Sequence, residues 1–508
     1  MNMDDVLQQA EAANLQQVRF LYVDNGGIIR GKATHADHLR GRMMGGIGLT
    51  PAMQAMNMLD QLQPIPEMGP VGEIRLMPDP DSFRILPYSP RVGVMMCDMI
   101  SLDHRPWTAC PRSFLKRVVD RAAAMGLRVL ATYEDEFTLA YPGKSPVPAG
   151  RSRILRPCSD SAVAKLATGA IYDSSPPEKS PQTYFSSRSS APRSGITVNP
   201  DDTGEYRPID DTLCFSSIAM EVGAPVIADI MDALKAQGIS PEQYYPELGH
   251  GQHELSIAPT CPLTAADNQV RYRETVRAVA RQHGMVASFA PKPFADQAGN
   301  GAHIHFSLWD AEQKRNLMWD TRDRYNVSAV GYQFAAGVLR HLPGLVALTC
   351  ASVNSYRRLN PRSWSSAYTA FGPDNREAAV RIASTFWGNE EQSMNMELKA
   401  SDSSANPYLA IGALIAAGLD GIEHGWLPGE SIEVDPAALS DAEREQLKIH
   451  RLPADLAGAI DALNSDPFFE AALGELLLRS YSTVKRSEAR AFAEQDAAFE
   501  LKRHFYTF

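Results

Sequence analysis

The chain lacks the marks that would assign it to a membrane, to nucleic acid or to an oxidising compartment. Its 508 residues contain no uninterrupted apolar stretch long enough to span a bilayer. The N-terminal run MNMDDVLQQAEAANLQQVRF has neither the basic start nor the apolar core of a signal peptide, so the cytoplasm is the expected compartment. Lysine and arginine number 49 against 60 acidic residues, a net charge of −11, and no basic run occurs. Nucleic acid is held by clustered positive charge, which excludes it as a partner. The six cysteines (Cys97, Cys110, Cys158, Cys214, Cys261, Cys350) form no Cys-x-x-Cys pair, which fits reduced thiols and implies no zinc at cysteine. The phosphate-loop motif G-x-x-x-x-G-K-[ST] and tandem repeats are absent too.

Hydrophobic residues make up 44% of the chain and charged residues 21%, enough apolar material for two packed cores in a soluble protein. Short strand-like runs broken by Gly and Pro (VRFLYVD, GIIRGKAT, VGEIRLMPD, VGVMMCDM) fill the first hundred residues. A helix opening on Pro111 and closing on Gly126 starts the second region, which places a domain boundary between residues 108 and 109. Beyond it, helical stretches over 265–284 and 406–425 are interspersed with short strands, the pattern of an α+β domain. Residues 144–207 are rich in Ser, Pro, Asp and Arg without periodicity and read as a polar excursion. From about Asp435 onward the composition predicts several helices.

Four clusters carry possible chemistry. The run Val129–Leu139 puts Glu134 and Glu136 on one strand face, about 7 Å apart, with Tyr133, Phe137 and Leu139 on the other. In EQYYPELGHGQHELSI, Glu247 and Glu254 flank a turn with Gly249 and Gly251, which either brings two carboxylates together or is an ordinary surface loop. GNGAHIHFSL places His303, His305 and Ser307 on one face of a short strand. Glu397, in MNMELKASD, says little alone. Five carboxylates and a histidine suit magnesium or manganese, because hard divalent ions prefer oxygen ligands. Arg357, Arg358, Arg376 and Arg381 supply the positive charge a transferring phosphate needs, or pair with surface carboxylates.

Read in order, YEDEF, PELGHGQHE, FAPKPFADQAGNGAHIHFSL, NSYRRLNP, DNREAAVRI and SANPYLA resemble the motif series of glutamine synthetases, over roughly residues 17–485. The resemblance implies a small β-grasp N-terminal domain (1–108) and a catalytic domain (109–508) with a curved antiparallel sheet and outer helices. It implies ATP and two or more Mg2+ or Mn2+ ions. Glu136, Glu247 and Glu254 match the ligands of the first metal, and Glu134, His303 and Glu397 those of the second. His305, Ser307 and Arg381 match nucleotide positions, Arg376 the arginine facing the transferred phosphate, Arg358 the arginine gripping glutamate's main-chain carboxylate, and Gly299 the loop lining the glutamate site. Relatives assemble as rings, so a homo-oligomer is expected, a dodecamer of two hexamers. The implied chemistry is activation of a carboxylate as an acyl phosphate, then attack by an amine.

The chain departs from that pattern where ammonium would bind. Trp364 occupies the position of an acidic residue that helps bind and deprotonate ammonium, and Leu49–Ala52, matching the second contributor, has no carboxylate. Both point to an organic amine, with Trp364 packing on a ring or facing an alkylammonium. Because an aniline is already neutral and no acidic cluster appears near Trp364, an arylamine is the favoured amine. Lys399 and Asn395 replace arginines near the second metal and substrate, which leaves the glutamate site altered. His250 and His253 are candidate bases. The alternatives are authentic glutamine synthetase, using ammonia, and a non-catalytic structural or sensor relative. No adenylylation tyrosine segment is recognisable after Gly425.

Overall fold

The computed structural model describes residues 1–143 and 206–508. The polar excursion expected over 144–207 lies, up to residue 205, outside the described residues. Met1–Tyr141 and Arg207–Phe508 together form one compact unit.

Two sheets organise this unit. The first contains β1 (Gln17–Val23), β2 (Ile29–His35), β3 (Ile47–Leu49), β4 (Ile74–Pro78), β5 (Arg84–Ile85) and β6 (Val92–Ser101), in the order β2-β1-β6-β4-β3 with β5 also on β6. β1 runs parallel to β6 and the remaining pairs are antiparallel. Val18, Phe20 and Tyr22 alternate into a core shared with Leu39, Leu76 and Met95, as a period of two requires. The four runs legible in the sequence are β1, β2, β4 and β6.

The second sheet contains β7 (Leu127–Pro142), β8 (Tyr206–Pro208), β9 (Pro241–Pro246), β10 (Gln252–Ile257), β11 (Val286–Ser288), β12 (Ala302–Asp310), β13 (Phe371–Pro373), β14 (Val380–Ile382) and β15 (Met396–Leu398). Its order is β13-β14-β15-β12-β7-β10-β9, with β8 and β11 also on β7. Along that order, and for β11 on β7, adjacent pairs are antiparallel except β13 with β14.

Helices Pro111–Ala124, Pro262–Gln282, Ala329–Thr349 and Pro407–His424 lie among the apolar residues behind it. The helix Pro111–Ala124 begins on Cys110 as N-cap with Pro111 in its first turn, where a missing N–H costs nothing. The helices Ala329–Thr349 and Pro407–His424 approach backbone to backbone at two glycines. A Cβ on Gly337 would lie 2.1 Å from the Ala417 carbonyl oxygen, and one on Gly421 2.1 Å from that of Gln333. Close packing here presses Phe334 and Leu419 into the core that supports the sheet. Buried Arg112 bridges the regions of both sheets, reaching Asp79 and Asp98 at 2.8 and 3.0 Å and Asp267 at 2.9 Å. The C-terminal segment is helical over Leu456–Ser465, Pro467–Leu473, Glu475–Ala493 and Ala497–Thr507.

Candidate active site

Register decides which side chains of the second sheet meet, because successive residues point to opposite faces. Glu134 lies opposite His303, and Glu136 opposite Glu254. Glu397 lies opposite His305 on one side and Arg381 on the other. One face thus collects carboxylates and imidazoles from β7, β10, β12 and β15, while Tyr133, Asp135, Phe137 and Leu139 are buried on the other. Glu254 is a buried strand residue, which rules out the surface-loop alternative. The strand returns from Glu247 through a tight turn closed by the Glu247 N–H donating to the Gln252 carbonyl at 2.8 Å.

Both imidazoles border the carboxylates. His305 Nε2 stands 3.0 Å from Glu397 Oε2 and 3.4 Å from Glu134 Oε2, and its Nδ1 is 2.9 Å from Asn395 Oδ1. His303 Nδ1 stands 3.6 Å from Glu134 Oε2 and 3.8 Å from Glu397 Oε2, with Nε2 3.9 Å from Glu136 Oε1. The set with donor atoms all within 4.8 Å is Glu134, His305 and Glu397. The sequence resemblance assigns that place to His303, but the Arg358 guanidinium, 3.1 Å away, occupies its Nε2 side.

The electrostatics fit a cation. Burial, reinforced by Glu134 and Glu136, holds the Glu254 carboxyl well above its ordinary range. Burial and the nearby Glu136 push Glu247 up to about 7. Burial also opposes ionisation of Glu134 and Glu397, yet the histidines beside Glu134, and Lys399 with His305 beside Glu397, hold both well below it. His305 is pushed up to about 10, its burial outweighed by hydrogen bonds to Glu134 and Glu397. Burial, with Lys399, lowers His303. Among the described residues, no ion pair involves Glu247 or Glu254. An oxygen-rich face with two carboxylates that have no cationic partner among the described residues suits Mg2+ or Mn2+ far better than zinc.

The remaining expected residues fall around this face. Arg358 is buried and also donates to the Ser401 carbonyl at 3.2 Å. Gly299 makes room for it, since a Cβ there would meet Arg358 Cγ at 3.0 Å and the Pro291 carbonyl at 2.3 Å. Arg381 donates through Nε to Glu397, and Lys399 Nζ lies 3.7 Å from the same carboxylate. Ser307, buried, accepts from Trp309 Nε1 at 2.8 Å. Arg376 is exposed on the turn after β13. Trp364 is 59% exposed in a left-handed conformation, φ +53°.

His253 is not on this face. It lies one residue from Glu254 on the same strand, so it points the other way, fully buried with its Nδ1 3.1 Å from the Tyr244 hydroxyl. It is therefore no base for the amine. Three polar residues escaped the sequence reading. Tyr245, opposite Glu254, donates its hydroxyl to it. Gln252 Nε2 donates to Glu136 Oε2 at 2.7 Å and to the Gly299 carbonyl at 2.9 Å, fixing the carboxylate beside the glycine-rich bend. Its spacing two residues before Glu254 was the available signal. The third, Glu377, contacts the Trp364 backbone.

A sheet that presents carboxylates, imidazoles and an arginine on one face has the make-up of an enzyme site able to hold a divalent cation beside positive charge. Residues 108–504 match the glutamine synthetase catalytic domain, and residues 1–107 match the glutamine synthetase N-terminal domain. The chain belongs to the glutamine synthetase family, with its N-terminal domain and curled catalytic sheet, and is an ATP-dependent ligase that forms carbon–nitrogen bonds. It is 33% identical over 470 residues to the gamma-glutamylpolyamine synthetase GlnA3 of Streptomyces coelicolor, covering 92% of this chain and 88% of that one. It is 31% identical to the glutamine synthetase of Halobacterium salinarum, covering 86% and 84%. Among solved structures, a novel glutamine synthase homolog superposes with a TM-score of 0.75 at 30% identity, over 97% of this chain and 98% of the other. A GmaS/ADP complex gives 0.75 at 27% identity, over 98% of each. Among the described residues, no helix is long and apolar enough to cross a membrane.

Proposed function

We propose that this ligase joins an organic amine to the side-chain carboxylate of glutamate through a γ-glutamyl phosphate. The observation that carries the reading is Trp364, an exposed indole at the position where ammonia-using relatives carry an acidic residue. The name of the Streptomyces relative, a gamma-glutamylpolyamine synthetase, supports it.

In this reading Glu136, Glu247 and Glu254 would hold one divalent ion, and Glu134, Glu397 and His303 a second, and ions bound there would supply positive charge for phosphoryl transfer. Arg381, His305 and Ser307 face the nucleotide. Arg376 is free of carboxylate partners among the described residues, which leaves its charge for the transferred phosphoryl group. Arg358, buried and anchored to the Ser401 carbonyl, holds the main-chain carboxylate of glutamate, with Gly299 keeping the space beside it clear. The working form is a dodecamer of two hexameric rings in the cytoplasm.

An oxygen-isotope experiment tests the chemistry. With glutamate carrying 18O in its side-chain carboxylate, one label moves into the released phosphate when an organic amine is supplied, and the amide appears by mass. Phosphate without label contradicts the acyl phosphate. Glutamine as the preferred product favours the ammonia-using alternative, which the Halobacterium relative represents.

A further inference from the structure

The turn after β13 carries a carboxylate to which none of these roles falls. Glu377 is only 9% exposed, yet among the described residues it forms no ion pair. Its Oε1 accepts the Trp364 N–H at 2.7 Å. Its own N–H donates to Asn375 Oδ1 at 3.0 Å, which fixes the turn. The loop bends around it, with Arg362, Trp364 and Ser366 all in the left-handed region at φ +60°, +53° and +67°. Such strain in three side-chain-bearing residues persists only where the surroundings enforce it.

The same loop is tied to the acyl side of the site. Ser365 Oγ donates to the Arg358 carbonyl at 2.7 Å, and Arg358 in turn contacts His303. Burial raises the Glu377 carboxyl, with Asp435 adding to it, against the Trp364 N–H and the more distant Lys399. The Lys399 ammonium is committed elsewhere, 3.7 Å from Glu397. A buried carboxylate without a cation is costly unless a ligand brings one. Trp364, whose backbone N–H this carboxylate holds, carries an exposed indole, a ring type that attracts cations over its face.

We propose that Glu377 is the ammonium-binding carboxylate of the amine subsite and that, with Trp364, it selects amines arriving as cations: alkylammonium ions or one end of a polyamine. This rests on the γ-glutamyl amide reading, and it reverses the preference for a neutral arylamine that the sequence supports. The thirteen-position separation of Trp364 and Glu377 hid the carboxylate until the loop folded back. Proton balance is complete. The ammonium gives one proton to Glu377, its nitrogen lone pair forms the bond to the acyl carbon, and the bond to phosphate breaks with its electron pair on phosphate. The second proton leaves the nitrogen for that phosphate, and Glu377 returns its own to solvent.

The test compares cationic nucleophiles (ammonium, methylammonium, putrescine) with ones largely neutral near pH 8 (hydroxylamine, aniline) in the wild type and in Glu377→Gln. Glutamine keeps an oxygen for the Trp364 N–H, and thermal melting reports folding. The expected result is a loss of kcat/KM about tenfold or more larger for the cationic set than for the neutral set, carried mainly by KM, as for a lost hydrogen bond to a charged group. Equal loss on both sets, or no loss, overturns the proposal. Whichever cation the wild type prefers reads out the amide-ligase assignment separately: ammonium preferred, with selective loss in Glu377→Gln, retains the carboxylate's role and removes the organic amine.

Discussion

Glu254 meets Glu134 and Glu136 with no cation of the protein's own beside it, and that fact predicts how a neutral substitute behaves. Burial and the neighbouring Glu134 and Glu136 carboxylates hold its carboxyl well above the ordinary range, so a neutral side chain there removes repulsion within the cluster. Glu254→Gln therefore leaves the metal-free Tm unchanged or slightly higher, while the rise in Tm on adding Mg2+ or Mn2+ is largely lost. Thermal scans with and without metal check both halves. The two imidazoles give a sharper comparison, because proximity favours His305 and the family resemblance favours His303. His303→Asn is expected to weaken Mn2+ binding by roughly 10–100-fold, read by calorimetry, whereas His305→Asn raises mainly the KM for ATP. The reverse pattern would assign the metal to His305. Glu134, Glu136 and His303 were legible because Glu-x-Glu and His-x-His declare a shared face through strand alternation, whereas Glu247, Glu254 and Glu397 were legible only through the order of motifs that the family resemblance supplies. Glu377, Tyr245 and Gln252 were not, since their partners are set by a loop and by neighbouring strands.

Elements were legible where a short local rule governs them. The helix starting at Pro111 and those at Pro262 and Pro407 begin within three residues of where Pro and the apolar period put them. The three-residue strands β13, β14 and β15 have too few residues for any period, and successive pairing, β15 on long β12, β14 on β15 and β13 on β14, makes them strands. The C-terminal helix Ala497–Thr507 shows what only tertiary structure reveals. Its Glu500 accepts from Arg357 Nε at 2.6 Å and from Asn354 at 2.8 Å, tying it to the segment that carries Arg358. On this helix His504 is fully buried, and burial, against the Glu500 carbonyl that accepts its Nδ1–H at 2.9 Å, lowers its pKa to about 4. In the unfolded chain a histidine titrates near 6.5. As pH falls from there towards 4, the unfolded state binds a proton that the folded state refuses, so stability is lost, by on the order of 3 kcal/mol at most. Above pH 6.5 the effect vanishes. Denaturant unfolding at pH 5 and pH 7 should show this loss, narrowed in His504→Gln; an unchanged gap contradicts it.

At the scale of the whole molecule, the site exists because strands from Leu127 to Leu398 close into one sheet, with Glu136 facing Glu254 and Glu397 facing His305. No single stretch contains the site. What carried the family reading was the order of six motifs along the chain, and the catalytic and N-terminal family matches cover the same span. Order and alternation do not report the amine, which depends on one loop around Glu377 and Trp364. The most direct measurement is a competition in one vessel: ATP, Mg2+ and glutamate with equal concentrations of ammonium and putrescine, the two amides counted by mass at early times. The account predicts that γ-glutamylputrescine predominates over glutamine, in the ratio of the two kcat/KM values. Glutamine in excess would contradict it and return the protein to ammonia.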